Sequence, residues 1–122
     1  MTIVITVFIG IIAALHLYFL WFEMFAWNTR GKKIFKNLPK EMFEPTKSMA
    51  ANQGLYNGFL SAGLIWTFFI QDVVWNTRVS IFFLCCVAIA GIFGALTADK
   101  KIFMVQALPA LITLLLVFVN QP

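Results

Sequence analysis

Apolar residues run along this chain in four long stretches, near Ile3 to Trp27, Ser48 to Gln71, Val79 to Ala98 and Ile102 to Val119, with most charged residues gathered between them. A bilayer core about 30 Å thick is crossed by about 20 apolar residues in a helix. The pattern therefore predicts an all-α fold, a four-helix transmembrane bundle that takes up 1–122 as a single integral membrane domain. Its helices are expected at about 3–27, 48–71, 79–98 and 102–119. The connections are unequal: 28–47 is long, 72–78 is short, and 99–101 is a tight turn that makes the last two helices an antiparallel hairpin.

Composition supports the membrane reading. Of the 122 residues 61% are hydrophobic and only 11% charged, against about a quarter charged in soluble domains, and the mean hydropathy is +0.90. A net charge of +4 could suggest nucleic acid, but the basic residues sit in the gaps between apolar runs and form no stripe with interleaved aromatics, so no nucleic-acid partner is expected. They are topology signals. Arg30, Lys32, Lys33, Lys36, Lys40 and Lys47 fall in the first connection and Lys100 and Lys101 in the third, whereas the second holds Arg78 alone. Lys and Arg concentrate on the cytoplasmic side, which places 28–47 in the cytoplasm and both termini outside a multi-pass protein of the inner (cytoplasmic) membrane.

The first apolar run lacks a basic leader and a small-residue cleavage site, so it is expected to remain as a helix. Ile34, Phe35, Leu38, Met42 and Phe43 interrupt the lysines of the first connection, a composition expected to lie on the membrane surface with its apolar groups in the headgroup layer. Cys85 and Cys86 are adjacent inside an apolar run, where a bridge between neighbours is geometrically implausible; they read as packing residues. The sequence Trp27-Asn28-Thr29-Arg30 recurs as Trp75-Asn76-Thr77-Arg78, each copy expected to close a helix.

Candidate chemistry lies within the apolar runs, where an ionisable side chain is unfavourable unless it is paired or faces a cavity. His16 and Glu23 are seven residues apart, which leaves them about 20° apart around a helix and about 10 Å apart along it. The second helix opens with Asn52, Gln53, Tyr56 and Asn57, spaced as one helical face, and Gln106 with Pro109 falls at a similar depth in the fourth. The expectation is a pocket on the cytoplasmic side lined by Glu23, Asn52, Gln53, Tyr56, Asn57 and Gln106, with His16 deeper and Thr97 closing the ring. The alternative is that these amides only join helices. No metal-ligand spacing, phosphate loop or Ser-His-Asp pattern is present, and a lone His among amides makes a poor metal site.

The stretches HLYFLWFEMFAW from His16, ANQGLYNGFLSAG from Ala51 and VQALPALITLL from Val105 resemble a widespread family of small bacterial membrane proteins known as a domain of unknown function, which implies four membrane helices and no assigned activity. His16 with Asn52 and Tyr56 also looks like the site of membrane styrene oxide isomerases. That likeness implies haem b as cofactor, His16 as its ligand, and Asn52 and Tyr56 orienting a substrate oxygen. Sterol-type membrane isomerases pair an intramembrane His and Glu, which would make Glu23 and His16 the acid and base. Small multidrug exporters resemble this chain in length and in an intramembrane Glu on the first helix, which implies a proton-coupled transporter. The expected function is binding of a small lipophilic molecule with a polar end, and its isomerisation if the protein is an enzyme. Transport, or a non-catalytic lipid-binding or assembly role, are the alternatives. A homo-oligomer is expected, because one four-helix bundle encloses little volume.

Overall fold

A computed structural model describes residues 2–121, and every regular element among them is helical. In chain order the α-helices are α1 (Ile3–Phe25), α2 (Lys32–Ile34), α3 (Lys47–Trp66), α4 (Val73–Thr97) and α5 (Leu108–Val119), with π or 3-10 turns at Trp27–Gly31, Lys40–Met42, Thr67–Phe69 and Phe103–Ala107. Two helices, α1 with 23 residues and α4 with 25, are long and apolar enough to cross a membrane, each reaching about 35 Å. α3 carries Lys47, Ser48, Asn52, Gln53, Asn57 and Ser61 along its length, and the apolar helix through Phe103–Val119 is shorter.

The chain divides into two compact units: Ala14–Ser61, and the residues up to Ala13 together with those from Ala62 onward. In the Ala14–Ser61 unit, Ala26 leaves helical geometry at φ −136°, and the Gly31 N–H donates to Ala26 O at 3.0 Å across five residues, which makes the π turn. The Trp27 ring then sits 5.6 Å from Phe35 and 5.0 Å from Phe43, and its indole N–H donates to Thr46 Oγ1 at 3.0 Å. Asn28 Nδ2 donates to Glu44 Oε2 at 2.7 Å and Arg30 Nε to the Tyr18 hydroxyl at 2.7 Å. The long basic connection is thus a folded segment. Phe43, expected in the headgroup layer, is 1% exposed, because the Trp27 ring gives it an aromatic partner inside the protein. Lys32, Lys33, Lys36, Lys40 and Lys47 stay exposed.

In the other unit, the Asp72 side chain accepts the Trp75 N–H at 3.0 Å and caps α4. A capped N-terminus satisfies donors that would otherwise be orphaned, so α4 opens at Val73 and not at the expected 79. The second copy of the Trp-Asn-Thr-Arg repeat accordingly lies in the opening turns of α4 and closes no helix, while the first copy forms the π turn after α1. Asn76 reaches back to the preceding turn, donating from Nδ2 to Thr67 O at 2.6 Å and Ile70 O at 3.1 Å.

Further on, Pro109 has no N–H for the carbonyl four residues earlier, and the chain adopts π spacing at Phe103–Ala107 immediately before α5. A Cβ on Gly91 of α4 would fall 2.5 Å from Ala107 N and 2.9 Å from its Cα. Only glycine allows backbones this near, a close approach typical of helix packing in lipid. Cys85 and Cys86 are free thiols, both half-buried.

Candidate functional site

The seam between α1 and α3 within Ala14–Ser61 is set by small residues. A Cβ on Gly54 would meet Met24 Cγ at 2.8 Å, Glu23 Cβ at 3.0 Å and Leu20 O at 3.2 Å, and one on Gly58 would meet Leu20 Cδ1 at 2.5 Å. Gly54, Asn57, Gly58 and Ser61 have the spacing of one helical stripe. Asn57 therefore arrives beside Glu23, and its Nδ2 donates to Glu23 Oε1 at 2.6 Å. Glu23 is 5% exposed, in a helix with no other acidic residue and with His16 as its one basic residue.

The same seam turns the remaining polar residues of α3 away. At about 100° per residue, Tyr56 lies about 150° and Asn52 about 170° from the middle of the stripe, and Gln53 about 90°. All three are exposed, Tyr56 by 58% with its ring 5.9 Å from Phe59. Asn52, Gln53 and Tyr56 thus do not enclose a pocket with Glu23 and Asn57 in the single chain. The expectation that 52, 53, 56 and 57 share one face grouped residues by polarity, whereas the glycines decide which face is covered.

His16 is fully buried, engaged with its surroundings, and packed edge-on against Phe19 with centroids 5.1 Å apart. A haem ligand needs a nitrogen open beside a slot for the porphyrin plane, and Asn52 and Tyr56 would have to face that slot. Their outward direction and the burial of His16 do not fit a haem held in this way. Gln106 is 9% exposed within the π turn before α5 and belongs to the other unit. Thr97 is exposed and its hydroxyl donates to Phe93 O at 2.7 Å. Among the described residues, no group of three or more His, Cys, Asp or Glu could hold a metal ion.

The sequence reading passed over Asn76, Thr67 and Ser80. Ser80 is fully buried, and its hydroxyl oxygen and Asn76 Oδ1 are buried without a hydrogen-bond partner. The signal was present as two polar residues four apart and so on one helical face, but Asn76 had been assigned to a connection.

These features define a small all-helical membrane protein with an internal carboxyl–amide pair. The chain belongs to the family described as protein of unknown function (DUF1304), whose model matches residues 10–118. It is 27% identical over 115 residues to a Lactococcus lactis subsp. lactis (strain IL1403) protein described as "Uncharacterized protein YpaA", covering 92% of this chain and 95% of that one. No solved structure matches the chain significantly.

Proposed function

We propose that the chain crosses the cytoplasmic membrane four times as a helical bundle, with both termini outside and 28–47 in the cytoplasm, and that it binds a small lipophilic molecule which Glu23 isomerises by proton transfer. The observation that carries this is Glu23 itself, a carboxyl 5% exposed on an apolar helix with the neutral amide of Asn57 as hydrogen-bond donor at 2.6 Å. Such groups within a membrane span are functional sites by default. Asn57 engages Oε1 and orients the carboxyl, so Oε2 is the oxygen that takes a proton from a carbon activated by a neighbouring double bond or carbonyl. The proton then returns to a second carbon of the same molecule. Atoms and electrons balance within the substrate, and no oxidant is required.

The outer face of α3 supports a homo-oligomer. Asn52, Gln53 and Tyr56 are exposed, and amides both donate and accept, so this face is complementary to itself across a two-fold axis. A lower molecular mass for Asn52→Leu than for wild type in the same detergent is expected; equal masses would remove this face from assembly.

The chemistry is tested by incubating the protein in nanodiscs with a bacterial lipid extract in D2O and reading carbon-bound deuterium by mass spectrometry. A lipophilic compound labelled by wild type and not by Glu23→Gln is expected. No labelled compound in either case would sink proton-transfer isomerisation. Uptake driven by a pH gradient and lost in Glu23→Gln, with no labelling, would assign the same carboxyl to proton-coupled transport.

A further inference from the structure

A second polar site belongs to the other unit, and its donors are already used. Asn76 commits Nδ2 to Thr67 O and Ile70 O, so its buried, unpartnered Oδ1 can only accept. A groove of about 340 Å³ is lined by Asn76, Thr6, Thr67 and Phe68. The Thr6 hydroxyl donates to Thr2 O at 3.1 Å and the Thr67 hydroxyl to Leu64 O at 2.6 Å, which leaves both with lone pairs alone. Ser80, fully buried and unpartnered, lies one turn along the same face of α4 as Asn76.

A lining of acceptors gives a carboxylate or phosphate no donor and suits a group with several N–H bonds and no lone pair, which is the description of a primary ammonium. Phe68 adds an aromatic ring able to attract a cation. Trp66 and Trp75, each one residue from a lining residue, are 55% and 57% exposed, and tryptophans exposed in this way mark the headgroup level of a bilayer. A molecule there can place its head in the groove and its tail in the hydrocarbon.

We propose that this groove binds the primary ammonium group of a lipophilic amine, held by Asn76 Oδ1 and the oxygens of Thr6 and Thr67, with Ser80 one turn along α4 from Asn76. Two sources share this chemistry, an ethanolamine phospholipid and a free long-chain amine. The site is independent of the chemistry of Glu23.

The test is equilibrium uptake of radiolabelled decylamine by the full-length protein in phosphatidylcholine nanodiscs, measured above empty nanodiscs. Saturable one-site uptake is expected, with decyltrimethylammonium, which has the charge and no N–H, at least tenfold weaker. Decanol is also expected to bind at least tenfold more weakly. Thr6→Val, which keeps the shape and removes the oxygen, should weaken decylamine at least fivefold, and Thr6→Val with Ser80→Ala further still, at helical content equal to wild type by circular dichroism. Displacement of decylamine by phosphatidylethanolamine would identify the lipid as occupant; no displacement would leave the free amine. The proposal is overturned by an absence of saturable uptake, which would assign the groove to water, by equal uptake of decyltrimethylammonium or decanol, or by unchanged affinity in the folded double variant.

Discussion

The two units use polar groups in opposite ways. In Ala14–Ser61 the polar side chains pair with one another: Asn57 with Glu23, Trp27 with Thr46, Asn28 with Glu44, and Arg30 with Tyr18. Both units pack on glycine, Gly54 and Gly58 in the first and Gly91 against Ala107 in the second, but among the described residues the two buried polar atoms left without a partner both fall in the unit from Ala62 onward. Polar pairs fix register by direction, because a donor misplaced by one residue has no acceptor. Small-residue packing fixes register by shape and requires no polar group. The Ser80 hydroxyl and Asn76 Oδ1, which fix no register because they bond to nothing, are therefore surplus to folding, and that surplus points to binding.

The largest expected break falls on shape. Gly91→Ala places a methyl group against the Ala107 backbone, which cannot yield as a flexible side chain would, and overpacking of this kind costs about 1–3 kcal/mol. Unfolding in a titration with sodium dodecyl sulfate should shift by about 3 kcal/mol, the upper end. A shift under about 0.5 kcal/mol would mean that α4 does not depend on this contact.

A smaller effect tests pairing in the other unit. Glu23→Leu leaves the half-buried Asn57 unmatched and Asn57→Leu the buried Glu23, at a cost of about 1–3 kcal/mol each. The double variant leaves none, so it should be more stable than the sum of the single changes predicts by about 1 kcal/mol, a typical coupling for a hydrogen bond between membrane helices. Additive losses would show that the 2.6 Å bond does not join α1 to α3, and would weaken the case for Glu23 as an oriented acid.

What the sequence made legible differs between the units for the same reason. Long apolar runs announce helices wherever they lie, and α1 and α4 were visible from them. Where α4 begins was not, because the capping role of Asp72 depends on whether its side chain meets the Trp75 N–H, and a short polar stretch reads equally well as a loop. Glu23 and Asn57 were grouped from the sequence and lie joined by a hydrogen bond, but the other residues grouped with them on α3 point elsewhere. Polarity suggested a face, and Gly54 and Gly58, whose small size is silent in a hydropathy pattern, chose a different one. The inward turn of Phe43 needed knowledge of where the ring of Trp27 sits. Asn76 was hidden more deeply still, since a sequence does not show that both its N–H bonds are spent and its oxygen is not.

The finest test of the contrast uses one substitution in two places. Ser61 and Ser80 are both fully buried, but Ser61 is engaged with its surroundings whereas the Ser80 hydroxyl has no partner. Removing a bonded buried hydroxyl loses about 1 kcal/mol, while removing an unmatched one releases a desolvation penalty. Ser61→Ala should therefore lower the unfolding midpoint, and Ser80→Ala in protein purified free of amines should raise it by about 0.5–1 kcal/mol. Opposite signs from identical chemistry would locate the surplus polarity at Ser80. A loss at Ser80 equal to that at Ser61 would show that its hydroxyl is satisfied in the folded protein, by water or a retained ligand, and the contrast between the units would then rest on packing alone. Adding decylamine separates those two occupants, because a retained water leaves the Ser80→Ala deficit unchanged, whereas a ligand that stabilises wild type by mass action widens it.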